Sequence, residues 1–236
     1  MTETQSEKFV IGVDFGTTFT GFAFYHLGTG AENNDELSAQ RIGENTRVIR
    51  EWPNLTSAYT EKTPTIIAYN RDPPTWGGSV RSHHEPQIDH FKLGLEPSVV
   101  RYFGFDPSDN WLGFGKHPQI PNKDPVDFST DFLSCVHKWV RESYLPSKFS
   151  ETFFSTQEFT YIVTVPAIWS DTAKDLTRQA ASQAFNIPND KLTLVTEPEA
   201  AALYCATMCR EVGLSDGDQF IVCDAGGGTV VSDSLS

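Results

Sequence analysis

Two short segments near opposite ends of the chain repeat one design. Ile11-Gly12-Val13-Asp14-Phe15-Gly16-Thr17-Thr18 aligns with Ile221-Val222-Cys223-Asp224-Ala225-Gly226-Gly227-Gly228, which Thr229 follows. In each, an apolar run of strand type ends on a carboxylate, and a glycine comes just after it. Glycine at such a bend permits a positive φ and lets another group approach the backbone. Successive N–H groups of the bend then form an anion-binding concavity. A carboxylate beside a phosphate is repulsive unless a hard cation such as Mg²⁺ lies between them. The repeat therefore predicts a metal-bridged polyphosphate gripped from two sides. Either turn alone reads as an ordinary hairpin bend or a loose terminus; two copies on matching strands make coincidence a poor account.

Around these turns the chain reads as mixed α/β. Strands are expected at 9–15, 19–25, 46–52, 65–69, 76–80, 159–165, 191–195 and 220–223, with a Gly-, Asn- and Glu-rich loop at 28–45. Phe132, Leu133, Val136, Trp139, Val140 and Tyr144 keep helical spacing, with Pro146 just past the expected end. Ser170-Asp171 reads as the cap of a helix reaching Phe185, and Pro198 as the start of one over 199–209. Ahead of them, 96–127 mixes Pro and Gly with Tyr102, Phe103, Phe105, Trp111 and Phe114. An irregular insertion burying its own rings is favoured there over a partner-binding patch.

Charge narrows the possible partners. With 18 basic against 31 acidic residues, a net −13 in 236 residues, the surface suits neither nucleic acid nor an anionic membrane. Cys135, Cys205, Cys209 and Cys223 lack CxxC spacing and disulfide-scaffold density, which predicts reduced thiols in the cytoplasm or nucleus. The polar start MTETQSEK lacks the pattern of a secretion signal, and no apolar stretch reaches membrane-spanning length. Other nucleotide motifs are missing: Gly113-Phe114-Gly115-Lys116 leads into His117 rather than completing a G-x-x-x-x-G-K-[ST] loop, and no G-x-G-x-x-G opens a helix. His83, His84, Asp89 and His90 have no recognised ligand spacing and read as a solvated loop.

Residues 11–20, IGVDFGTTFT, resemble the first phosphate motif of the 70 kDa heat-shock chaperones of the DnaK type. Further segments resemble that family in the same order: 63–69 (TPTIIAY), 129–145, Thr164-Val165-Pro166-Ala167 with Ser170-Asp171, Thr196-Glu197-Pro198-Glu199 with its alanines, and 224–229. The weak intervening similarity is closer to the divergent heat-shock-70-like proteins of fungi. The resemblance implies a ribonuclease-H-like, actin-like ATPase fold, with lobe I over 1–214. Only the first strand and turn of lobe II would fall in 215–236, and the adenosine-binding and peptide-binding parts would lie outside this sequence. It implies ATP/ADP and Mg²⁺ as cofactors, with Asp14, Asp224 and, through water, Glu197 at the metal. Gly16, Thr17, Thr18 and Phe19 would wrap the phosphates from one side, and Gly226, Gly227, Gly228 and Thr229 from the other. Pro166 would lie at a hinge, and Lys92 would be the catalytic lysine. Thr17, Glu197 and Thr229 join Asp14, Asp224 and Lys92 as implied catalytic groups.

The pattern departs from the family at Val231, where an acidic residue is usual, and 232–236 does not read as an apolar return strand. An ATP-binding module with weak or no hydrolysis is therefore expected, with client proteins or co-chaperones as further partners. The alternatives are a sugar or acetate kinase of the same superfamily, disfavoured by Thr196-Glu197-Pro198 and the alanine run, and a non-catalytic interaction protein.

Overall fold

A computed structural model describes residues 8–27, 42–43, 45–55, 60–81, 87–96, 98, 120, 122–150, 157–208, 220–226 and 230–235. Most of the expected loop at 28–45, and the aromatic residues of the expected insertion, lie outside the described residues.

The strands are β1 (Lys8–Phe15), β2 (Phe19–Leu27), β3 (Arg47–Val48), β4 (Thr63–Pro64), β5 (Ile66–Ala68), β6 (Thr75–Trp76), β7 (Gln87–Asp89), β8 (Glu158–Val165), β9 (Leu192–Thr196), β10 (Phe220–Ala225) and β11 (Val230–Leu235). The principal sheet runs β3-β2-β1-β8-β9, with β4 also paired to β2. β1 is antiparallel to β2 but parallel to β8, which is parallel to β9, so β1, β8 and β9 end at the same edge. A second, small sheet runs β6-β5-β7, and β10 and β11 form a hairpin.

The period-two pattern of β1 decides the layering. Phe9, Ile11, Val13 and Phe15 are all at most 1% exposed and face α1 (Pro125–Trp139) and, further along the chain, a second long helix over Asp171–Phe185. A short helix, α2 (Leu145–Lys148), lies between these two, so the second long helix is α3; α4 is Glu197–Met208. Phe128, Phe132, Leu133 and Val136 of α1 complete the core, each large side chain contributing roughly 1.5–3 kcal/mol by its burial. The small residues Ala173, Ala180, Ala181 and Ala184 let α3 approach α1 and the sheet closely. Phe185 stacks on Tyr161 of β8, whose hydroxyl hydrogen-bonds the His137 ring at 2.8 Å; burial, then the Arg141 charge, pushes His137 down to about 4.

Caps explain the helix limits. Ser170 accepts from the Ala173 N–H as expected, and Asn186 closes α3 in the left-handed conformation. α1 begins earlier than its apolar spacing suggested, because Asp124 and Asp127 form a reciprocal capping box and Pro125 fills the first turn.

Several expectations are corrected. Pro146 does not end a helix: Val140–Tyr144 forms a π-turn, and Pro146 sits in the first turn of α2, where its missing N–H is harmless. Of the expected strand at 76–80 only Trp76, the last residue of β6, is extended in the sheet; a 3-10 turn follows at Gly77–Ser79, with Gly77 at φ +55°. The segment 46–52 contributes only Arg47–Val48. A return strand does follow the second glycine turn. β11 pairs antiparallel with β10, placing Val231 opposite Asp224, so 215–236 holds two strands rather than the single strand and turn expected. Its serines and aspartate do not prevent this, because the ladder is made by backbone groups. Among the described residues no helix is long and apolar enough to cross a membrane.

Candidate functional site

The carboxyl ends of β1, β8 and β9 converge at one edge of the sheet, the position where ligands dock in open α/β sheets. Asp14 lies near the end of β1, Pro166 just follows β8, and Glu197 just follows β9.

The bend from β1 to β2 is held from the side by Thr65. Its N–H donates to the Thr18 carbonyl at 2.8 Å and its hydroxyl donates to the Gly16 carbonyl at 2.8 Å. That hydroxyl has a single proton, so the buried Thr20 hydroxyl, also 2.8 Å away, is the donor in their mutual bond. Gly16 does not use a positive φ, contrary to the sequence expectation. It is required for space, since a Cβ there would lie 2.2 Å from the Phe19 carbonyl oxygen. Thr17 is buried, while Thr18 and Phe19 are less enclosed, with Phe19 exposed at the tip.

Lys92 and Glu197 meet although far apart in sequence. Lys92 lies on the 3-10 turn Phe91–Leu95 and is 1% exposed; its Nζ donates to Glu197 Oε1 at 2.8 Å. The ammonium also lies 5.7 Å from the Phe15 ring centroid and 5.2 Å from that of Trp169. Cation–π attraction thus adds to the ion pair in a setting largely closed to water. Glu96, at the end of the same turn, accepts from the Ser170 N–H at 2.8 Å and from Ser98, tying the lysine-bearing turn to the start of α3. Burial raises the Glu96 pKa, but the bonds from Ser170 and Ser98 outweigh it and hold it down at about 2.

Asp14 points to the other face of the sheet, where its side chain is 40% exposed. Thr164 Oγ1 donates to Oδ1 at 3.3 Å, and Lys62 Nζ lies 2.5 Å from Oδ2. From this polar end a groove of about 690 Å³ runs over Val10, Gly12, Ala23, Tyr25, Val48 and Val195. In the second glycine turn, Asp224 belongs to β10 and Gly226 is exposed. Gly227, Gly228 and Thr229 lie outside the described residues, as does Cys209.

Lys62, Thr65, Glu96, Thr164 and Trp169 are the site residues that sequence reasoning missed as such. Thr65 and Thr164 carried a signal, lying within segments that resemble family motifs. Lys62 and Glu96 stand in stretches without a period and gave none.

An antiparallel hairpin joined to two parallel strands, with long helices packed on one face and a glycine bend leaving the first strand, is a mixed α/β arrangement that agrees with the actin-like ATPase fold implied by the chain's relatives. No family model matches the chain. It is 27% identical over 230 residues to human Heat shock 70 kDa protein 12A, covering 87% of this chain and 29% of that protein. Identity is 25% over 224 residues to human Heat shock 70 kDa protein 12B, covering 86% and 29%. It is 32% over 240 residues to the Chaperone protein HscA homolog of Actinobacillus pleuropneumoniae serotype 5b, covering 95% and 32%. The chain is thus a divergent relative of the 70 kDa heat-shock family, and it spans about three-tenths of the length of these proteins.

Proposed function

We propose that the chain is an ATP- or ADP-binding module of the actin-like ATPase type, holding the polyphosphate as its Mg²⁺ complex. The observation that carries this reading is that Asp14, the Gly16 bend and the buried Lys92–Glu197 pair all lie at the carboxyl ends of β1, β8 and β9, with Asp14 facing the groove and the pair on the helix-covered side.

In this reading residues 1–214 form lobe I and 215–236 the beginning of lobe II. The bend of Gly16, Thr17, Thr18 and Phe19 offers backbone N–H groups to the phosphates, and the second glycine turn, Gly226, Gly227, Gly228 and Thr229, is assigned the same role. Asp14 has the hard-oxygen chemistry that Mg²⁺ favours, and such ions are commonly held by one or two carboxylates plus substrate phosphates. Asp224 is the second such carboxylate, and Glu197 acts on the water shell. The bound ion supplies charge neutralisation at the phosphates. Glu197 holds the Lys92 ammonium in place, and Thr17 and Thr229 contribute hydroxyls. Phosphoryl transfer to water at such a site depends on positioning and charge more than on covalent chemistry. A cytoplasmic or nuclear location and protein clients or co-chaperones belong to the same proposal. The free thiols of Cys135, Cys205 and Cys223 suit a reducing compartment.

Calorimetric titration with Mg-ATP tests the reading. Wild type is expected to release heat that Asp14→Asn largely loses. Equal heats in the two proteins would remove Asp14 from the site.

A further inference from the structure

We propose that Lys62 is a built-in counter-ion of Asp14 that competes with divalent metal for this carboxylate and so lowers the metal requirement of polyphosphate binding. The second half of that statement rests on the nucleotide-binding reading above; the first does not.

Pairing of the strands brings the two groups together. β4 runs antiparallel to β2 with Thr63 opposite Thr20, so Lys62 comes alongside Gly21. Gly21 in turn lies opposite Asp14 in the β1–β2 ladder. Lysine, glycine and aspartate therefore stand in one row across three strands, with the outer two separated by two strand spacings, roughly 10 Å. An extended lysine and an aspartate reaching toward each other span that gap, provided that nothing projects from the middle strand. Gly21 meets this condition: a Cβ on it would lie 3.2 Å from Lys62 Cγ and 3.8 Å from Cε, against the stem that now lies over the bare backbone.

The neighbouring charges direct Lys62 to Asp14. Glu61, adjacent in the chain, accepts from both Nε and Nη2 of Arg50, at 3.1 and 2.5 Å, and already has its cation. Thr164 occupies the other Asp14 oxygen only through a long 3.3 Å bond. The Lys62–Asp14 pair is half open to water, with side chains 49% and 40% exposed, so a dissolved ion can reach the carboxylate and displace the ammonium. Two cations cannot share one exposed carboxylate without repelling each other. Each must therefore weaken the binding of the other.

The test begins with the metal alone. Mn²⁺ binding to the whole chain is followed by electron paramagnetic resonance in wild type, Lys62→Met, Lys62→Gln, Asp14→Asn and the Lys62→Met/Asp14→Asn double variant. Removing the ammonium is expected to tighten one Mn²⁺ site by about five- to tenfold in both lysine variants. The gain should vanish in the double variant, which separates this carboxylate from the many others of an acidic protein. Unchanged Mn²⁺ affinity in the lysine variants, or a gain that survives Asp14→Asn, overturns the proposal. ATP is then titrated with excess Mg²⁺ and with excess chelator. The loss of ATP affinity on removing metal should be about tenfold or more greater in Lys62→Met than in wild type. An equal metal requirement in the two proteins overturns the second half of the proposal. If no form of ATP binds to either protein, the nucleotide reading and that half fall together, while the Mn²⁺ result still decides the competition.

Discussion

Two lysine–carboxylate pairs lie close to the end of β1, and they differ in what water can reach. Lys92 and Glu197 are 2% and 14% exposed, with aromatic rings around the ammonium; Lys62 and Asp14 are 49% and 40% exposed beside an open groove. The enclosed pair is largely shielded from bulk solvent and acts as a fixed part of the scaffold, where loss of one partner strands the other. The open pair contributes little to stability because solvent screens it, and for the same reason it can be exchanged for a ligand. One site thus separates a charge that must stay from a charge that can leave.

The contrast breaks most readily at the enclosed pair. Lys92→Met should destabilise the protein by about 3 kcal/mol or more in urea unfolding, since Glu197 is left in an enclosed setting without its partner. Glu96, on the same turn as the lysine, is committed to Ser170 and Ser98 and should make the fold acid-sensitive. Its folded pKa, about 2, lies below the ordinary 4.5, so the unfolded chain binds the proton more readily. Its contribution is present above pH 4.5 and is lost as the pH falls toward 2, by up to roughly 3 kcal/mol. The dependence of unfolding free energy on pH across that window should flatten in Glu96→Gln. Thr65→Val should cost about 1–2 kcal/mol by leaving the Gly16 carbonyl and the Thr20 hydroxyl without this partner. The smallest effect is expected at Lys62→Met, within about 0.5 kcal/mol by the same measurement. A larger loss there would erase the distinction between the two pairs.

Much of this arrangement was legible in the sequence wherever local chemistry and final structure agreed. Ser170 and the alanine spacing marked α3 because a cap and an amphipathic face are local signals. Asp14 and Gly16 were recognisable as a strand-ending bend for similar reasons, although the role of Gly16 proved steric. Lys62 was invisible, because its partner is set by register: only with Thr63 opposite Thr20 and Gly21 opposite Asp14 does it acquire one. Glu96 was hidden likewise, since its donors come within reach only when the start of α3 lies against the Phe91–Leu95 turn. The π-turn and β11 were missed because proline and serine statistics describe isolated segments, whereas neighbouring backbone settles what those residues tolerate.

The alternation along β1 has one more consequence. Phe9, Ile11, Val13 and Phe15 share the helix-covered side, and Asp14 reaches the groove because it falls on the opposite beat. A single extra residue inserted after Val10 would put the rest of the strand out of phase, driving a carboxylate among the rings while a phenylalanine emerged into solvent. Folding and ligand chemistry in this chain therefore keep the same time, and neither can be shifted by one step without the other.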